Sequence, residues 1–322
     1  MVLNNESRTP HQIAIGRKPA WIRAKAPGGP GFRTTKALIE THGLHTVCQE
    51  ASCPNIGECW SRGTATIMIL GDTCTRSCGF CNVKTGRPAD VDLDEPRRVA
   101  ELLSHVPLKH VVITSVDRDD LPDGGAAIWA ETIERVHGAC PELSVEVLVG
   151  DFKGSKDDLQ RVIEARPEIL AHNIETVRRM HSAVRPQADY DRSLQVLARI
   201  QESGLVSKTS IMVGIGETDE EIDTVLLDIR SRTNADILTI GQYLQPTRNH
   251  LPIDRWVHPD QFDAYRRRGL ELGFKVVESG PLVRSSYHAE EQAQKLSPEA
   301  RETKTAMQAI LSHARSRHNI SA

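Results

Sequence analysis

Six of the seven cysteines lie between positions 48 and 81, in two groups of three. The groups are Cys48, Cys53 and Cys59, spaced C-x4-C-x5-C, and Cys74, Cys78 and Cys81, spaced C-x3-C-x2-C. In a large chain without an export signal, clustered thiols indicate metal or redox chemistry rather than disulfide bonds. Three thiolates can ligate three irons of a cubane and leave the fourth iron open for a substrate or cofactor. The two groups therefore predict two separate iron–sulfur clusters.

A structural zinc site is the alternative for each group. Structural zinc normally takes four protein ligands, and neither group contains a fourth cysteine. In the first group, His42 or His45 would have to complete the site. The seventh cysteine, Cys140, stands alone before Pro141 and is interpreted as an incidental, partly buried thiol. Ligand number and spacing favour clusters over zinc in both groups.

Short apolar runs alternate with helical patterns from about residue 66 onward. The runs that predict strands are Thr66–Leu70, His110–Ser115, Ser144–Val149, Ile169–Asn173, Ser207–Gly214 and Ile237–Tyr243, and the helical segments are Glu95–His105, Gly125–His137, Lys156–Ala165, Asp191–Glu202 and Asp219–Ser231. This alternation predicts an α/β fold with a parallel sheet and right-handed crossovers. Six such units fit either a doubly wound sheet or a partial barrel, and periodicity does not choose between them. In both architectures the second cysteine group follows a strand at its carboxyl end, where active sites are built.

The chain divides into three parts. Residues 1–65 are rich in proline and glycine, have one helical stretch near Thr34–Thr41, and are interpreted as an N-terminal extension that carries the first cysteine group. Residues 66–280 form the α/β core. Residues 281–322 form a C-terminal extension with a polar helical tail over Pro298–Arg317.

The composition excludes several classes of protein. Of the 322 residues, 39% are hydrophobic and 26% are charged, as is typical of folded soluble proteins. A net charge of −3 gives no indication of a general nucleic-acid or membrane-surface binder. The first residues lack the apolar segment of a secretion signal, and no apolar run approaches the roughly 20 residues of a membrane helix. We therefore expect a cytoplasmic monomer that binds neither nucleic acid nor membrane.

The loop from Cys74 to Cys81 resembles the signature of the radical S-adenosylmethionine (SAM) superfamily. The resemblance includes the cysteine spacing, the aromatic residue Phe80 before the last cysteine, and the position after the first predicted strand. It implies a partial (β/α)6 barrel of the TIM type, with the N- and C-terminal extensions covering the barrel mouth. It also implies that the open iron binds the amino and carboxylate groups of SAM, so that an electron from the cluster releases a 5′-deoxyadenosyl radical.

The stretch from Cys48 to Trp60 is similar to the lipoyl synthase family. Residues 18–23 resemble its N-terminal segment and residues 280–289 its C-terminal signature, so the resemblance covers about residues 18–290. It implies two [4Fe-4S] clusters and SAM as cofactors. The implied reaction is a sulfur transfer to C6 and C8 of an octanoyl-lysine, with sulfur from the auxiliary cluster of Cys48, Cys53 and Cys59. The alternative is another radical SAM enzyme whose auxiliary cluster relays electrons or anchors substrate.

The resemblance also implies partners and one further ligand. The partners are an octanoylated lipoyl carrier domain, an electron donor such as ferredoxin or flavodoxin, and an iron–sulfur carrier that rebuilds the auxiliary cluster. By resemblance, Ser286 ligates the auxiliary iron that has no cysteine. Its alkoxide would be a harder and weaker partner for iron than a thiolate. The alternative is that Ser286 is the N-cap of a helix that starts near Tyr287.

Five residues are candidates for SAM contacts. Gly124 and Gly125 open a helix after the second strand, where backbone N–H groups suit a carboxylate, and an Asp123 N-cap is the alternative. Asn173 and Glu175 end the fourth strand and are candidates for the ribose or amino group of SAM, with a solvated strand end as the alternative. Arg185 is a candidate for the SAM carboxylate, with a surface salt bridge as the alternative.

Two further strand ends face the predicted site. The segment Val213–Glu217 lacks the full phosphate-loop pattern, so it is interpreted as a close backbone approach to the adenosine rather than a triphosphate site. Gln242 and Tyr243 end the sixth strand and are expected to line the same mouth.

Overall fold

The structure is a computed structural model that describes residues 18–106 and 108–296. Its helices in these ranges are α1 (Pro30–Thr41), α2 (Val47–Glu50), α3 (Ile56–Ser61), α4 (Glu95–Ser104), α5 (Ala126–Ala139), α6 (Lys156–Glu164), α7 (His181–Val184), α8 (Tyr190–Glu202), α9 (Asp219–Thr233), α10 (Pro259–Glu271) and α11 (Ala289–Gln294). Its strands are β1 (His45–Thr46), β2 (Thr66–Ile69), β3 (Thr73–Cys74), β4 (Lys84–Thr85), β5 (His110–Ser115), β6 (Ser144–Leu148), β7 (Ile169–Ala171), β8 (Val206–Val213), β9 (Ile237–Gln242) and β10 (Val276–Gly280). The predicted tail helix Pro298–Arg317 lies outside the described residues.

Eight strands form the main sheet, in the order β1-β2-β5-β6-β7-β8-β9-β10. All neighbours from β2 to β10 pair in parallel, and β1 pairs antiparallel with β2. This order leaves two ends unpaired within the described residues, so the sheet is a partial barrel, as the resemblance implied. The six predicted strands are confirmed. The sheet extends beyond them by β10 at one edge and β1 at the other.

The strands are buried because helices cover the outer face and side chains fill the inside. Every residue of β2 is buried, as is every residue of β9. Strands buried on both faces are composed mainly of Val, Ile and Leu, which is why the periodicity of the sequence located them. Helix α9 begins at a capping box, in which Thr218 and Glu221 bond each other's backbone N–H groups. Such caps fix the length of the loops at the carboxyl ends of the strands.

The N-terminal extension packs α1 against α3. The Thr35 hydroxyl donates to the Trp60 carbonyl at 2.9 Å, and the rings of Phe32 and Trp60 lie 5.2 Å apart. Strand β1 then adds this extension to the sheet edge at β2. The extension is therefore attached to the barrel on the side where the first cysteine group is located.

The C-terminal extension covers more than the barrel mouth. Its carbonyl at Val283 lies so close to Gly241, in β9 near its carboxyl end, that no side chain fits at that glycine. Further along, Leu296 packs with Ile169 and Val276, the first residues of β7 and β10. The extension therefore runs from the carboxyl end of the sheet to its amino end. None of the helices within residues 18–106 and 108–296 has the length and apolar character that crossing a membrane requires.

Candidate functional site

The second cysteine loop begins at a sharp turn after β2. Leu70 and Gly71 both have left-handed backbone conformations, with φ of 68° and 91°. The strained Leu70 is held by two contacts: its N–H donates to Glu95 Oε2 at 2.6 Å, and its carbonyl accepts from Arg118 Nη1 at 3.3 Å. The turn directs the chain across the carboxyl end of the sheet. Cys74 therefore lies at the barrel mouth, as predicted.

Two backbone N–H groups point at the Cys74 sulfur. They belong to Arg76, at 3.4 Å, and to Asp117, at 3.3 Å. Asp117 follows β5, so this second donor comes from the neighbouring strand end. Such N–H donors stabilise a thiolate that ligates a metal and tune the potential of a cluster.

A buried arginine fixes the loop between Cys74 and Cys78. Arg76 is 3% exposed, and its guanidinium bonds Asp119 through two nitrogens, at 2.8 and 2.9 Å. One of these two nitrogens, Nη2, also bonds Asp151 at 2.6 Å. Although burial would raise the pKa of Asp151, Arg76 holds that pKa below its usual range. The loop is thus tied to the ends of β5 and β6 by charge-assisted hydrogen bonds.

The other half of the loop is held by backbone contacts. The Gly79 N–H donates to the Val184 carbonyl at 2.9 Å, and the Gly79 carbonyl accepts from Leu251 at 3.0 Å. The His250 Nε2–H donates to the Cys81 carbonyl at 2.9 Å. These contacts place Cys78 and Cys81 between α7 and the long loop after β9.

The thiols of this loop influence one another electrostatically. Burial raises the pKa of Cys78 to about 12, a value that includes a lowering by Arg185 and a raising by Cys81. Burial, together with Cys74, raises the pKa of Cys81 to about 11. Partly buried thiols that repel each other as thiolates are disfavoured without a compensating cation. A [4Fe-4S] cluster supplies that cation, so the trio fits the predicted cofactor.

The first cysteine group surrounds a turn between α2 and α3. Cys48 belongs to α2, Cys59 belongs to α3, and Cys53 lies in the turn that joins these helices. Burial, together with Cys53 and Cys48, raises the pKa of Cys59 to about 12. Burial is also the main cause of the raised pKa of Cys48 and Cys53. The first trio therefore fits a cluster by the same reasoning.

The structure does not favour the zinc alternative. The His42 Nδ1–H bonds the Leu38 carbonyl of its own helix at 2.9 Å, and His45 Nδ1 lies 3.9 Å from Glu50. Across the part of the chain that the structure describes, no three His, Cys, Asp or Glu side chains converge as the ligands of one ion do. A cluster distributes its thiolates over separate irons and does not require such convergence. All seven cysteines, including Cys140, are free of disulfide bonds.

Ser286 lies in a turn of the C-terminal extension, directly before α11, and this turn is near the first trio. Asn55 donates to the Leu282 carbonyl at 2.7 Å, and Arg62 Nη1 lies 3.1 Å from His288 Nε2, so the chain on both sides of Ser286 contacts the segment of this trio. The interpretation of Ser286 as an N-cap is wrong, because α11 begins at Ala289 and its N-cap is His288. The ligand role of Ser286 stays a prediction.

Two asparagines join the parts of the site. Asn82, directly after Cys81, donates from Nδ2 to the Glu50 carbonyl at 3.1 Å and to Ser52 Oγ at 3.2 Å. Asn55 donates from Nδ2 to the Leu282 carbonyl at 2.7 Å. The first contact links the two cysteine loops, and the second links the first loop to the C-terminal extension.

Arg185, Asn173 and Glu175 form one group at the end of β7. Arg185 Nη1 donates to the Asn173 carbonyl at 2.8 Å, and Asn173 Nδ2 donates to Glu175 Oε1 at 2.9 Å. Burial raises the pKa of Glu175, and Arg185 opposes this effect. Arg185 is 8% exposed and has no carboxylate within 4.0 Å among the described residues, so the interpretation as a surface salt bridge is wrong. A buried cation beside Cys78 is suited to an anionic ligand.

Gly124 and Gly125 lie in a turn that uses its own N–H groups. Gly124 donates to the Leu121 carbonyl at 3.2 Å, and Gly125 donates to Asp123 Oδ1 at 2.9 Å. A Cβ at Gly125 would lie 2.5 Å from Leu70 Cδ1, so the glycine permits close packing. The structure favours the Asp123 cap over a carboxylate site at these N–H groups.

The glycines after β8 are likewise occupied from within the chain. Glu217 is 3% exposed and accepts the N–H groups of Gly214, Ile215 and Gly216 at 2.6, 3.0 and 3.1 Å. A carboxylate therefore fills the concavity that a phosphate would need. Gln242 Nε2 occupies the space beside Gly214, and the predicted close approach to the adenosine stays a prediction.

Gln242 and Tyr243 support the loop after β9. Gln242 Nε2 donates to the Arg255 carbonyl at 3.0 Å, and the Tyr243 hydroxyl donates to the Leu251 carbonyl at 2.6 Å. Both side chains are buried, so their predicted place in the lining of the mouth is wrong.

Three parts of the site were not predicted from sequence. They are the Arg76–Asp119–Asp151 network, the Asn82 bridge and the partly buried Arg284. One feature of the sequence could have pointed to Arg76 and Asn82: Arg76 lies inside the C-x3-C-x2-C motif, and Asn82 directly follows it. Their partners are distant in sequence, and only the fold identifies them.

Comparison with known proteins agrees with this geometry. Residues 68–229 match the radical SAM superfamily. The chain is 56% identical over 279 residues to the lipoyl synthase of Rubrobacter xylanophilus, covering 86% of this chain and 87% of the relative. It is 52% identical over 274 residues to the mitochondrial lipoyl synthase of Nematostella vectensis, covering 85% and 94%.

A solved structure supports the fold alone. Streptococcus suis SuiB bound to S-adenosylmethionine has a TM-score of 0.51 at 11% identity, over 78% of this chain and 55% of that one. Its likeness agrees with the partial barrel. The cysteine trios, the barrel and the two relatives together show that the chain belongs to the lipoyl synthase family of the radical SAM superfamily.

Proposed function

We propose that this enzyme is a sulfurtransferase that inserts sulfur at C6 and C8 of an octanoyl chain carried on a protein lysine, which yields the lipoyl group. One observation carries the proposal: two separate trios of thiols are linked by the side chain of Asn82. An unactivated C–H bond has no acidic proton for a base to remove. A reaction at C6 and C8 therefore needs a radical source and a sulfur source close together.

The two cofactors divide these tasks. Cys74, Cys78 and Cys81 would hold the cluster that supplies the electron for SAM cleavage, and Cys48, Cys53 and Cys59 would hold the auxiliary cluster that supplies sulfur. The protein provides placement and shielding. Arg76 and its carboxylates fix the loop from Cys74 to Cys81, and Asn82 sets the distance of this loop from the segment of the first trio.

The group at the end of β7 is suited to hold SAM. Arg185 carries a buried positive charge for the carboxylate of SAM, and Glu175 carries the complementary charge for its amino group or a ribose hydroxyl. Asn173 Oδ1 is buried without a hydrogen-bond partner among the described residues, so it is available to a ligand donor. Burial of these groups excludes water from the radical.

Ser286 is proposed as the fourth ligand of the auxiliary site. The chain on both sides of Ser286 contacts the segment of the first trio, through Asn55 at the Leu282 carbonyl and Arg62 at His288. An alkoxide binds iron less firmly than a thiolate, so Ser286 would release its iron when sulfide is removed. The family resemblance supplies this role, and the position of the turn is compatible with it.

The reaction requires three partners. The substrate is an octanoylated lipoyl carrier domain, since the acyl chain is bound through a lysine amide. A one-electron donor such as ferredoxin or flavodoxin must reduce the radical site. An iron–sulfur carrier must rebuild the auxiliary cluster after each turnover. We propose that the enzyme acts as a cytoplasmic monomer.

The experiment is an anaerobic assay of the reconstituted enzyme with SAM, dithionite and an octanoyl-lysine peptide. We expect dithiolated peptide, two 5′-deoxyadenosines per product, and the loss of two sulfides per turnover. If the sulfide content stays constant while the peptide is consumed, the auxiliary cluster relays electrons or anchors substrate instead.

Cys53→Ala separates the two sites. We expect this variant to retain measurable SAM cleavage and to form no thiolated peptide, because Cys53 belongs to the auxiliary trio only. Cys140→Ala is the matched control, since this thiol lies far from both trios in sequence, after α5. Full product from Cys53→Ala would contradict the auxiliary cluster as the sulfur source.

A further inference from the structure

A strongly basic stretch lies in the N-terminal extension of a chain whose net charge is −3. Residues 18–39 contain five cations, Lys18, Arg23, Lys25, Arg33 and Lys36, and no Asp or Glu. All five side chains are exposed. We call residues 18–36 the cationic segment.

The charges of the cationic segment are largely uncompensated. Lys25 Nζ lies 3.9 Å from Glu58, and Lys36 Nζ lies 3.6 Å from Glu40. Exposed pairs of this kind are weak and leave the cation available to a partner. Within residues 18–106 and 108–296, no carboxylate oxygen lies within 4.0 Å of Lys18, Arg23 or Arg33. The segment therefore presents a local positive field to solvent.

The cationic segment lies directly on the helix that carries Cys59. A Cβ at Gly57 of α3 would lie 2.6 Å from the Lys25 carbonyl, and Ser61 Oγ donates to the Gly28 carbonyl at 3.4 Å. The segment thus forms the outer surface of the auxiliary site. Beside Arg23, the Trp21 side chain is 40% exposed and contacts His258 edge to face at 5.1 Å. An exposed tryptophan within a charged surface is a frequent anchor of protein interfaces.

We propose that the cationic segment docks an acidic face of the octanoylated carrier domain. This inference rests on the proposed function, which requires a folded protein substrate. The acylated lysine is a neutral amide, so the arm itself offers no charge for recognition. A carrier must therefore be selected through the protein surface around the arm, and opposite charge accelerates and orients that encounter. A segment lying on α3 would hold the carrier next to the sulfur source.

The test measures carrier binding and turnover by three forms of the full-length reconstituted enzyme. The docking variant is Arg23→Glu/Arg33→Glu/Lys36→Glu. The control is Lys109→Glu/Arg166→Glu, which reverses two exposed cations before β5 and β7, at the amino end of the sheet. The probes are an acidic octanoylated carrier domain and a neutral octanoyl-lysine tripeptide. Fluorescence anisotropy gives the carrier Kd, and product analysis gives kcat and KM.

We expect the docking variant to raise Kd and KM for the carrier by about tenfold or more, with little change in kcat. The difference in carrier Kd between the wild type and the docking variant should decrease as salt is added, because exposed charges are screened. The control variant should bind the carrier as the wild type does. A carrier whose acidic residues around the lysine are replaced by glutamine should bind all three enzymes equally.

The outcomes separate the two proposals. An unchanged carrier Kd in the docking variant overturns the docking proposal, whatever the activity. If the wild type thiolates neither carrier nor tripeptide, the proposed function fails, and the Kd comparison still decides the docking surface. If the docking variant loses affinity for a short DNA duplex and keeps its carrier Kd, the segment binds nucleic acid and the docking proposal is wrong.

Discussion

The amide of Asn82 illustrates how one side chain can set the geometry of a two-centre reaction. Its two hydrogen bonds, to Glu50 and Ser52, join a loop that would hold the radical source to a loop that would hold the sulfur. Each bond is worth about 1 kcal/mol. Their removal should leave both thiol trios intact but loosen the distance between them.

Asn82→Ala should therefore uncouple the two half-reactions. We expect the ratio of 5′-deoxyadenosine to thiolated product to increase several-fold, because a misplaced sulfur captures the substrate radical less often. Asn249→Ala, in the loop after β9, is the control. The measurement is quantification of both products in one anaerobic reaction. An unchanged ratio would show that the bridge does not set the distance.

Asp151 makes the radical loop sensitive to acid. Arg76 and Arg192 contact this buried carboxylate at 2.6 and 3.2 Å, and its pKa is lower in the folded than in the unfolded state. A lowered folded pKa contributes stability that is present above the unfolded pKa of about 3.9 and is lost as pH falls through the folded value.

Asp151→Asn tests this contribution. We expect the variant to lose about 1.5–3 kcal/mol of unfolding free energy at pH 7, because the buried Arg76 loses one of its two bonded carboxylates and keeps Asp119. The stability of the variant should also depend less on pH below about pH 4 than that of the wild type. Urea denaturation between pH 7 and pH 3 gives both quantities. Parallel pH profiles would show that Asp151 is not linked to acid unfolding.

At the scale of elements, the loop between β8 and α9 is held by its own residues. Gly214 has φ of 89°, and a Cβ there would overlap Gln242 Nε2 and the Arg255 carbonyl. Glu217 accepts the N–H groups on this glycine and the next two residues. The loop is therefore specified by packing from inside, and it tolerates no side chain at Gly214.

Gly214→Ala should lower the melting temperature by several degrees. The alanine would have to adopt a left-handed φ, and its Cβ would overlap the Arg255 carbonyl. Gly138→Ala in α5 is the matched control, because a Cβ there meets nothing within 4 Å. This control should be neutral or stabilising by about 0.5–1 kcal/mol, the helix preference for alanine. Differential scanning calorimetry compares the two. Equal melting temperatures would contradict the proposed overlap.

Strands were predictable from sequence where several consecutive residues are buried on both faces of the sheet. The strands from β2 to β9 in the main sheet are almost entirely buried and each contains apolar residues that located it. Strand β10 was missed because only Val276 and Val277 are apolar and buried in it. Strand β1 has two residues, which is too short for any periodicity.

The site was predictable where chemistry is local in sequence. The cysteines are grouped, so their spacing revealed both trios. Arg76 bonds Asp119 and Asp151, which are 43 and 75 residues away in sequence. These bonds form only because the fold brings neighbouring strand ends together, so the sequence did not reveal them. The glycine N–H groups at positions 124 and 125 were expected to bind a ligand, but Asp123 competes for them locally. A short polar side chain beside a glycine turn often satisfies that turn itself.

At the scale of the whole molecule, an ion pair stabilises the barrel interior at its amino end. Lys208, in β8, is fully buried and donates to Glu146, in β6, at 2.7 Å. His110, in β5, lies 3.4 Å from the same carboxylate. Three strands thus converge on one buried carboxylate, below the reactive mouth.

Lys208→Met should destabilise the protein by about 3–5 kcal/mol, because Glu146 is left charged and unpaired. The double variant Lys208→Met/Glu146→Leu should recover most of this loss, since both buried charges are removed together. Chemical denaturation of the wild type, both single variants and the double variant completes the cycle. A double variant as unstable as the sum of the single ones would contradict a direct pairing.

The hydrogen bond between Asn55 and the Leu282 carbonyl joins residues 227 positions apart. A protein emerges from the ribosome from its N-terminus, and its domains begin to fold during synthesis. The thiols of the first trio are therefore made long before the segment that encloses them, which follows the last strand of the barrel. The auxiliary site cannot close around a cluster until the chain has been translated past Leu282.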